Sequence, residues 1–495
     1  MPARPSLRLP GVSLLWGGVA ALSGLLVTLV LTALPLRTGV LLLAGIAALS
    51  VAVLGSRLTP AHIMCIGTAS AMLSGNWSLL GSPIGLDRLI VLAGVLATML
   101  AAARDPRVTL ATRPVHLGLA VAAVTAIGSA LVAHTLTTTV GLYALLDHFG
   151  LVPFLAFAVA PYAFRGTRDR MALVKTLVIM GAYLGATAVF ERVGPHVLVF
   201  PRFILDPSVG LHADRARGPF LEASANGVVM VMCGIACWYG ALHLGRRWRW
   251  ACIAAGGLCT LGIALTLTRS AWIAGVVAGG LALGYSRRHR RYLLPAAAGL
   301  VAVVAMALLL LPGFAGSAQQ RANDQSPVWD RQNLVVAATR VIDDKPLFGL
   351  GWGRFPLDGR AYFRQADTYP MQGEGLVVHN VPLLYAAEMG LAGAGIWLVA
   401  VTVALVGPMT RRLGPIMEDW QAAHLAIVAA WAIVSMFAPL AQMLPNLLVF
   451  LWAGITAGAV PWMSPLSARR QAAAARAGGP PHTPPDAAPA ALASA

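Results

Sequence analysis

The sequence predicts an all-α, polytopic membrane bundle of 12–14 transmembrane helices, with a helical cap supplied by one long outer loop. Three observations carry this. Over 495 residues the mean hydropathy is +0.74, with 58% hydrophobic and only 11% charged side chains, whereas a soluble domain carries roughly a quarter charged residues. The apolar residues fall into runs close to the ~20 needed to span a bilayer. The arginines gather in short segments between alternate runs. A soluble enzyme, a nucleic-acid-binding module and a secreted disulfide scaffold are excluded. The net charge of +17 follows from topology and needs no acidic ligand.

In order, the runs lie at 11–35, 38–56, 61–81, 87–103, 114–134, 143–164, 171–191, 220–244, 250–267, 270–285, 292–312, 380–407, 423–440 and 444–463. The first is longer than a signal-peptide core and reads as a retained anchor. The third is the most polar, through Ser74, Asn76, Ser78 and Ser82. With the N-terminus inside, every even-numbered run ends among Lys and Arg, as cytoplasmic loops do. These ends hold Arg57, then Arg104, Arg107 and Arg113, then Arg165, Arg168 and Arg170, then Arg246, Arg247 and Arg249, then Arg287, Arg288, Arg290 and Arg291, then Arg411 and Arg412, then Arg469 and Arg470. The short outer loops near 36–37, 82–86, 135–142 and 441–443 hold one Arg, at position 37. Both termini are therefore expected in the cytoplasm.

The chain divides into a bundle over 1–312 with an outer loop at 192–219, a large outer loop at 313–378, further membrane helices over 379–466, and an Ala/Pro/Gly-rich tail at 467–495 expected to be disordered. Within the large loop, Leu334, Val335, Ala338, Val341 and Ile342 form one stripe, while Asp330, Arg331, Arg340, Asp343 and Asp344 lie off it. That is the period of an amphipathic helix. Pro346 ends it, and the turn Gly349-Leu-Gly-Trp-Gly-Arg354 follows. Cys65, Cys233, Cys237, Cys252 and Cys259 lie in apolar runs without ligand spacing, so they read as packing residues.

Charge at the mouth of a membrane bundle is costly and marks a candidate site. Three stretches qualify, all on the outer side. In Arg215-Ala-Arg217-Gly-Pro-Phe-Leu-Glu-Ala-Ser-Ala-Asn226, Gly-Pro reads as a helix start. It places Arg217 outside a helix N-terminus, where it either binds an anion or snorkels to headgroups. In Thr266-Leu-Thr268-Arg269-Ser270, Arg269 caps a tight hairpin against the positive-inside pattern; it is an anion ligand or an interfacial anchor. In Glu374-Gly-Leu-Val-Val-His379-Asn380-Val-Pro382, Pro382 fits a first helical turn. His379 then sits at the helix mouth as a base or as a cap. Glu388 lies about 180° round that helix, so Glu374 or a residue of the cap is the expected orienting partner. Adjacent Asp343 and Asp344 do not converge as a metal cage, so anionic charge would be met by arginine.

These stretches, with Pro346…Gly349-Leu-Gly-Trp-Gly-Arg354-Phe and His379-Asn380…Glu388-Met-Gly390, resemble the O-antigen ligase and polymerase superfamily over about 215–395. The resemblance implies a bacterial inner-membrane glycosyltransferase with a periplasmic site, working among membrane lipids with no nucleic acid. Its donor would be a polyprenyl-diphosphate-linked glycan, and its acceptor a sugar hydroxyl of lipid A–core or of another glycan. Carried over by motif, Arg217 and Arg269 would hold the diphosphate and His379 would be the general base. Arg215, Asn226, Arg354, Glu374, Asn380 and Glu388 would support them. No metal or other cofactor is implied. Ligase, polymerase and protein O-oligosaccharyltransferase share this chemistry. A transporter or flippase would instead place polar groups near the midplane, where the sequence offers few beyond Lys175 and Asn76.

Overall fold

The computed structural model describes residues 58–80, 85–105, 113–310, 323–364, 373–410 and 415–459, with isolated residues at 316, 319, 320, 370, 371 and 413. All regular structure among them is helical. The expected runs at 11–35 and 38–56, and the tail at 467–495, lie outside the described residues.

Each of the other twelve runs contains a helix. We number the helices α1 Pro60–Ser70, α2 Leu86–Arg104, α3 Pro114–Val132, α4 Leu151–Ala163, α5 Thr167–Val193, α6 Ala223–His243, α7 Arg246–Leu265, α8 Arg269–Tyr285, α9 Leu293–Leu310, α10 Ser326–Asp344, α11 Val381–Val406, α12 Pro415–Ser435 and α13 Met443–Ala459. Seven described segments are long and apolar enough to cross a membrane: α2, α3, Val140–Ala163 around α4, α5, α6, α7 and Val381–Met409 around α11.

Three runs depart from their expected form. The run at 61–81 is helical only to Ser70 and continues as short 3₁₀ turns at Ala71–Leu73 and Trp77–Leu80. Two of its polar residues turn inward, Ser74 against Arg88 and Asn76 donating to the Pro219 carbonyl at 2.8 Å, whereas Ser78 is exposed. The run at 143–164 opens with a wide π-type turn over Ala144–Phe149 and reaches α4 through Gly150. The run at 423–440 is shifted toward the N-terminus, where buried Gln421 and His424 extend α12.

Lipid tails are as apolar as leucine, so helices associate in a membrane by close packing and hydrogen bonds. The contacts obey this. α7 lies on α5 and α6, α13 on α4, α8 on α12, α1 on α2, and α3 on α11. Gly454 shows why a small residue is needed: a Cβ there would meet the Phe157 carbonyl oxygen of α4 at 2.4 Å. Several polar groups inside the bundle are paired, although both ring nitrogens of fully buried His424 have no hydrogen-bond partner among the described residues. Arg88 holds the Asp147 carboxylate through Nε at 3.1 Å and through Nη2, and Asn446 donates to the Asp147 carbonyl at 3.0 Å. Arg88 and Asp147, at 7% and 3% exposure, add to the buried polar groups foreseen from sequence.

The segment before α6 is tied directly to the end of α7 and to the segment before α13. The Ala216 N–H donates to the Leu265 carbonyl at 3.1 Å, and Gln442 Nε2 to the Phe220 carbonyl at 3.4 Å.

Candidate functional site

The stretch around Arg217 forms a 3₁₀ turn, Gly218–Phe220, and not the start of α6, which begins at Ala223. Leu221 breaks the path with φ at 55°. Glu191, from the last turn of α5, grips the turn by accepting the N–H groups of Arg217 at 3.1 Å and Gly218 at 3.0 Å. Asn226 is fully buried and donates to the Ala216 carbonyl at 3.0 Å. The Arg217 guanidinium points inward. Nη1 donates to Val209 O at 2.5 Å, and Nη2 to Asp206 O at 2.5 Å and Ile204 O at 3.0 Å. At 1% exposure, this side chain staples the preceding loop and has only Nε without a partner. Arg215 is partly buried, with Nε 4.0 Å from the Asp214 carboxylate.

Arg269 differs. A tight turn joins α7 to α8: Thr266 Oγ1 donates to Ile263 O at 2.7 Å, Thr268 Oγ1 donates to Thr266 O at 3.0 Å, and Leu267 takes φ 49°. Arg269 is then the first residue of α8 and exposed.

His379 precedes α11. Asn380 is the N-cap of that helix, its Oδ1 accepting the Leu383 N–H at 2.9 Å, as an N-cap side chain does. Buried Val378 and Val381 hold the strand-like approach in place. The imidazole is partly buried, and its Nδ1 has no hydrogen-bond partner among the described residues. Burial, then the positive charge of Arg331, hold its pKa below the ordinary histidine value, partly offset by the Val377 carbonyl. Both causes favour the neutral form. Glu374, expected as the orienting partner, is instead exposed in a turn, and the charge that bears on the ring is cationic.

Arg331, which the sequence places off the apolar stripe, is the cation that bears on His379. It lies on α10, which packs on α11. Its own pKa is lowered, first by burial and then by Arg269, against the opposing pull of Asp330. The charge of Arg331 therefore bears on His379, and that of Arg269 on Arg331. α10 is the expected amphipathic helix, but its buried face is turned: Asn333 and Ala337 join Leu334, Ala338 and Val341, whereas Val335 is 41% exposed and Ile342 only partly buried. Asn333 is drawn inward by donating to the Pro370 carbonyl at 3.0 Å.

Glu388 has a different task. It is 3% exposed on α11 and accepts the Phe355 N–H at 3.3 Å, with the Gly353 N–H against the same carboxylate. Two residues later Gly390 breaks the helix at φ 72°, ψ 174°. The turn 346–351 fills the break: Gly351 N donates to Glu388 O at 2.7 Å, and Leu391 N to Pro346 O at 2.7 Å. A Cβ on Gly390 would meet Leu347 backbone at 2.1 Å. The glycine-rich turn and the Glu388-Met-Gly390 element are thus one clasp, anchored to α3 by Trp352 N on Ser129 Oγ at 3.0 Å. Arg354 pairs with Asp358 at 2.7 Å and 3.0 Å. Among the described residues, no group of three His, Cys, Asp or Glu is placed to hold a metal ion.

The charge of Arg269 thus bears on Arg331 and that of Arg331 on His379, while Arg217, Asn226, Asn380, Glu388 and Arg354 hydrogen-bond to neighbouring groups. Residues 254–398, which carry Arg269, Arg331 and His379, match the model of a family described as O-antigen ligase. No curated protein matches the chain.

Proposed function

We propose, from the premise that this chain belongs to the O-antigen ligase superfamily of membrane glycosyltransferases, that it moves a glycan from a polyprenyl-diphosphate carrier to a sugar hydroxyl of lipid A–core at the periplasmic face. The observation that carries this reading is the electrostatic chain Arg269–Arg331–His379. A guanidinium whose charge is opposed by the Arg269 charge beside it suits a dianionic diphosphate, which Arg matches bidentately. The imidazole beside them is kept neutral and so able to take a proton.

In the reaction, His379 removes the acceptor hydroxyl proton while the oxygen attacks the anomeric carbon. The carbon–oxygen bond to the diphosphate breaks, and its electron pair stays on the carrier diphosphate. The anomeric centre is inverted, and the imidazolium returns its proton to solvent. Arg269 and Arg331 stabilise the charge that grows on the leaving group. Removing one preorganised donor of this kind costs about 10²–10³ in rate, and general-base help is worth about 10²–10⁴. Arg217 acts at one remove, by holding the loop over 204–209 against the turn that meets Leu265.

The test is transfer by the purified full-length protein from a lipid-diphosphate glycan to lipid A–core. A strain lacking the protein should accumulate full-length glycan on its carrier lipid. Accumulation of single repeat units instead would identify a polymerase.

A further inference from the structure

The turn 346–351, which fills the break in α11, belongs by sequence to the large outer loop, yet its contacts place it far down two spans. α3 and α11 pack side by side in opposite directions, since a Cβ on Gly118 would meet Ala400 and one on Gly393 would meet Thr125. Arg113 precedes α3, and Arg411-Arg412 follow α11, so both helices meet charge at the same end. From Pro114 to Ser129 on α3, and from Val406 back to Leu391 on α11, is about 22 Å at 1.5 Å per residue. The hydrocarbon of a bilayer is about 30 Å thick, which leaves Ser129 and Leu391 roughly 8 Å inside its far boundary, on the His379 side. The turn is bonded at that level to both, Trp352 N–H donating to Ser129 Oγ at 3.0 Å and Leu391 N–H to Pro346 O at 2.7 Å.

The chemistry of the turn suits that depth. Non-helical backbone within the hydrocarbon must find its partners inside the protein. The N–H groups of Gly349, Leu350 and Gly351 donate to the carbonyls of Lys345, Ala387 and Glu388. The side chains face the other way: Phe348 is 79% exposed, Leu347 62%, and neighbouring Leu391 54%. On α11 no residue over 381–390 is exposed, whereas Leu391, Leu398, Val399, Val403 and Val406 are. Leu347 and Phe348 therefore continue the outward-facing apolar side of α11 past its break. Exposed Asp343, Asp344 and Lys345 precede them, so charge stops where the turn begins. We propose that 346–351 is a re-entrant anchor whose partner is the acyl chains of the lipid leaflet on the His379 side. It ties α10, and with it Arg331, to the membrane, and it stands whether or not the chain transfers glycan.

The experiment uses the full-length protein carrying Phe348→Cys, labelled in detergent with the environment-sensitive fluorophore NBD. It is then reconstituted into phosphatidylcholine vesicles whose acyl chains are plain or brominated. The five native cysteines are buried, so the introduced thiol takes the label. Leu347→Cys is the second position, which keeps the test open if the first variant misfolds. Glu374→Cys, exposed on the same loop, marks the aqueous state. We expect blue-shifted emission at 348 and 347 that brominated lipid quenches, more strongly with bromine near the head of the chain than near its methyl end. Emission at 374 should be red and unquenched. Emission at 348 and 347 matching that at 374 would place the turn in water and overturn the anchor. Blue emission that brominated lipid leaves untouched would mean that protein covers the turn, a second copy of the chain or another, and would overturn it equally.

Discussion

Arg217 and Arg269 present the same signal in sequence and opposite states in the fold. Each stands at the non-cytoplasmic end of a span by the charge rule, next to a helix start. Arg217 is 1% exposed and donates to three backbone carbonyls. Arg269 is exposed, and its charge bears on a second arginine that in turn bears on His379. A guanidinium satisfied by fixed carbonyls stabilises a loop. A guanidinium held near another cation is poised for an anion. The difference lies in what surrounds each residue.

The comparison can be broken most sharply at His379. His379→Gln should lower kcat for glycan transfer about 10²–10⁴-fold, with the protein still expressed and inserted; normal turnover would remove the proposed base. Next come Arg269→Lys and Arg331→Lys, which keep the charge and lose the fork. Each should reduce kcat/KM by about 10² while leaving the unfolding temperature in detergent unchanged.

Arg217→Ala should behave oppositely. It strips the partner from the carbonyls of Ile204, Asp206 and Val209, at a cost on the order of 1–3 kcal/mol, read as a lower unfolding temperature. Transfer by the surviving folded fraction should be nearly normal. Smaller again, Glu388→Gln keeps the shape of the clasp but weakens its hold on the Phe355 N–H. It should loosen the glycine-rich turn, seen as faster amide exchange over 349–355, with only a modest loss of activity.

The bundle was legible from sequence because lipid imposes a length and the membrane imposes a charge rule; every described run from residue 61 onward contains its helix. The ends of the runs were less so. Polar residues such as Ser74 and Gln421 find partners inside the protein, which hydropathy does not register. At the site, Arg269 and His379 stood out because each violated a local expectation. Arg331 did not, since it lies off the apolar stripe of an amphipathic helix and so looks like ordinary solvated surface. The burial of Arg217 was not legible because its partners are carbonyls, which every residue has. Glu191 passed unnoticed as an acid in the last turn of a span, and the pairing of Glu388-Met-Gly390 with the turn at 349–353 depends on a helix break that one glycine allows.

The central claim is that Arg331 couples the arginine that meets the diphosphate to the base that meets the acceptor, and the acidic limb of the kcat/KM profile tests it most directly. His379 works in its neutral form, so activity is present above its pKa and lost as pH falls through it. With that pKa held below about 6.5, the native limb should lie below that value. In Arg331→Gln the limb should move upward, toward the ordinary histidine range, while Arg217→Lys leaves it in place. A limb that stays put when the Arg331 charge is removed would contradict the account.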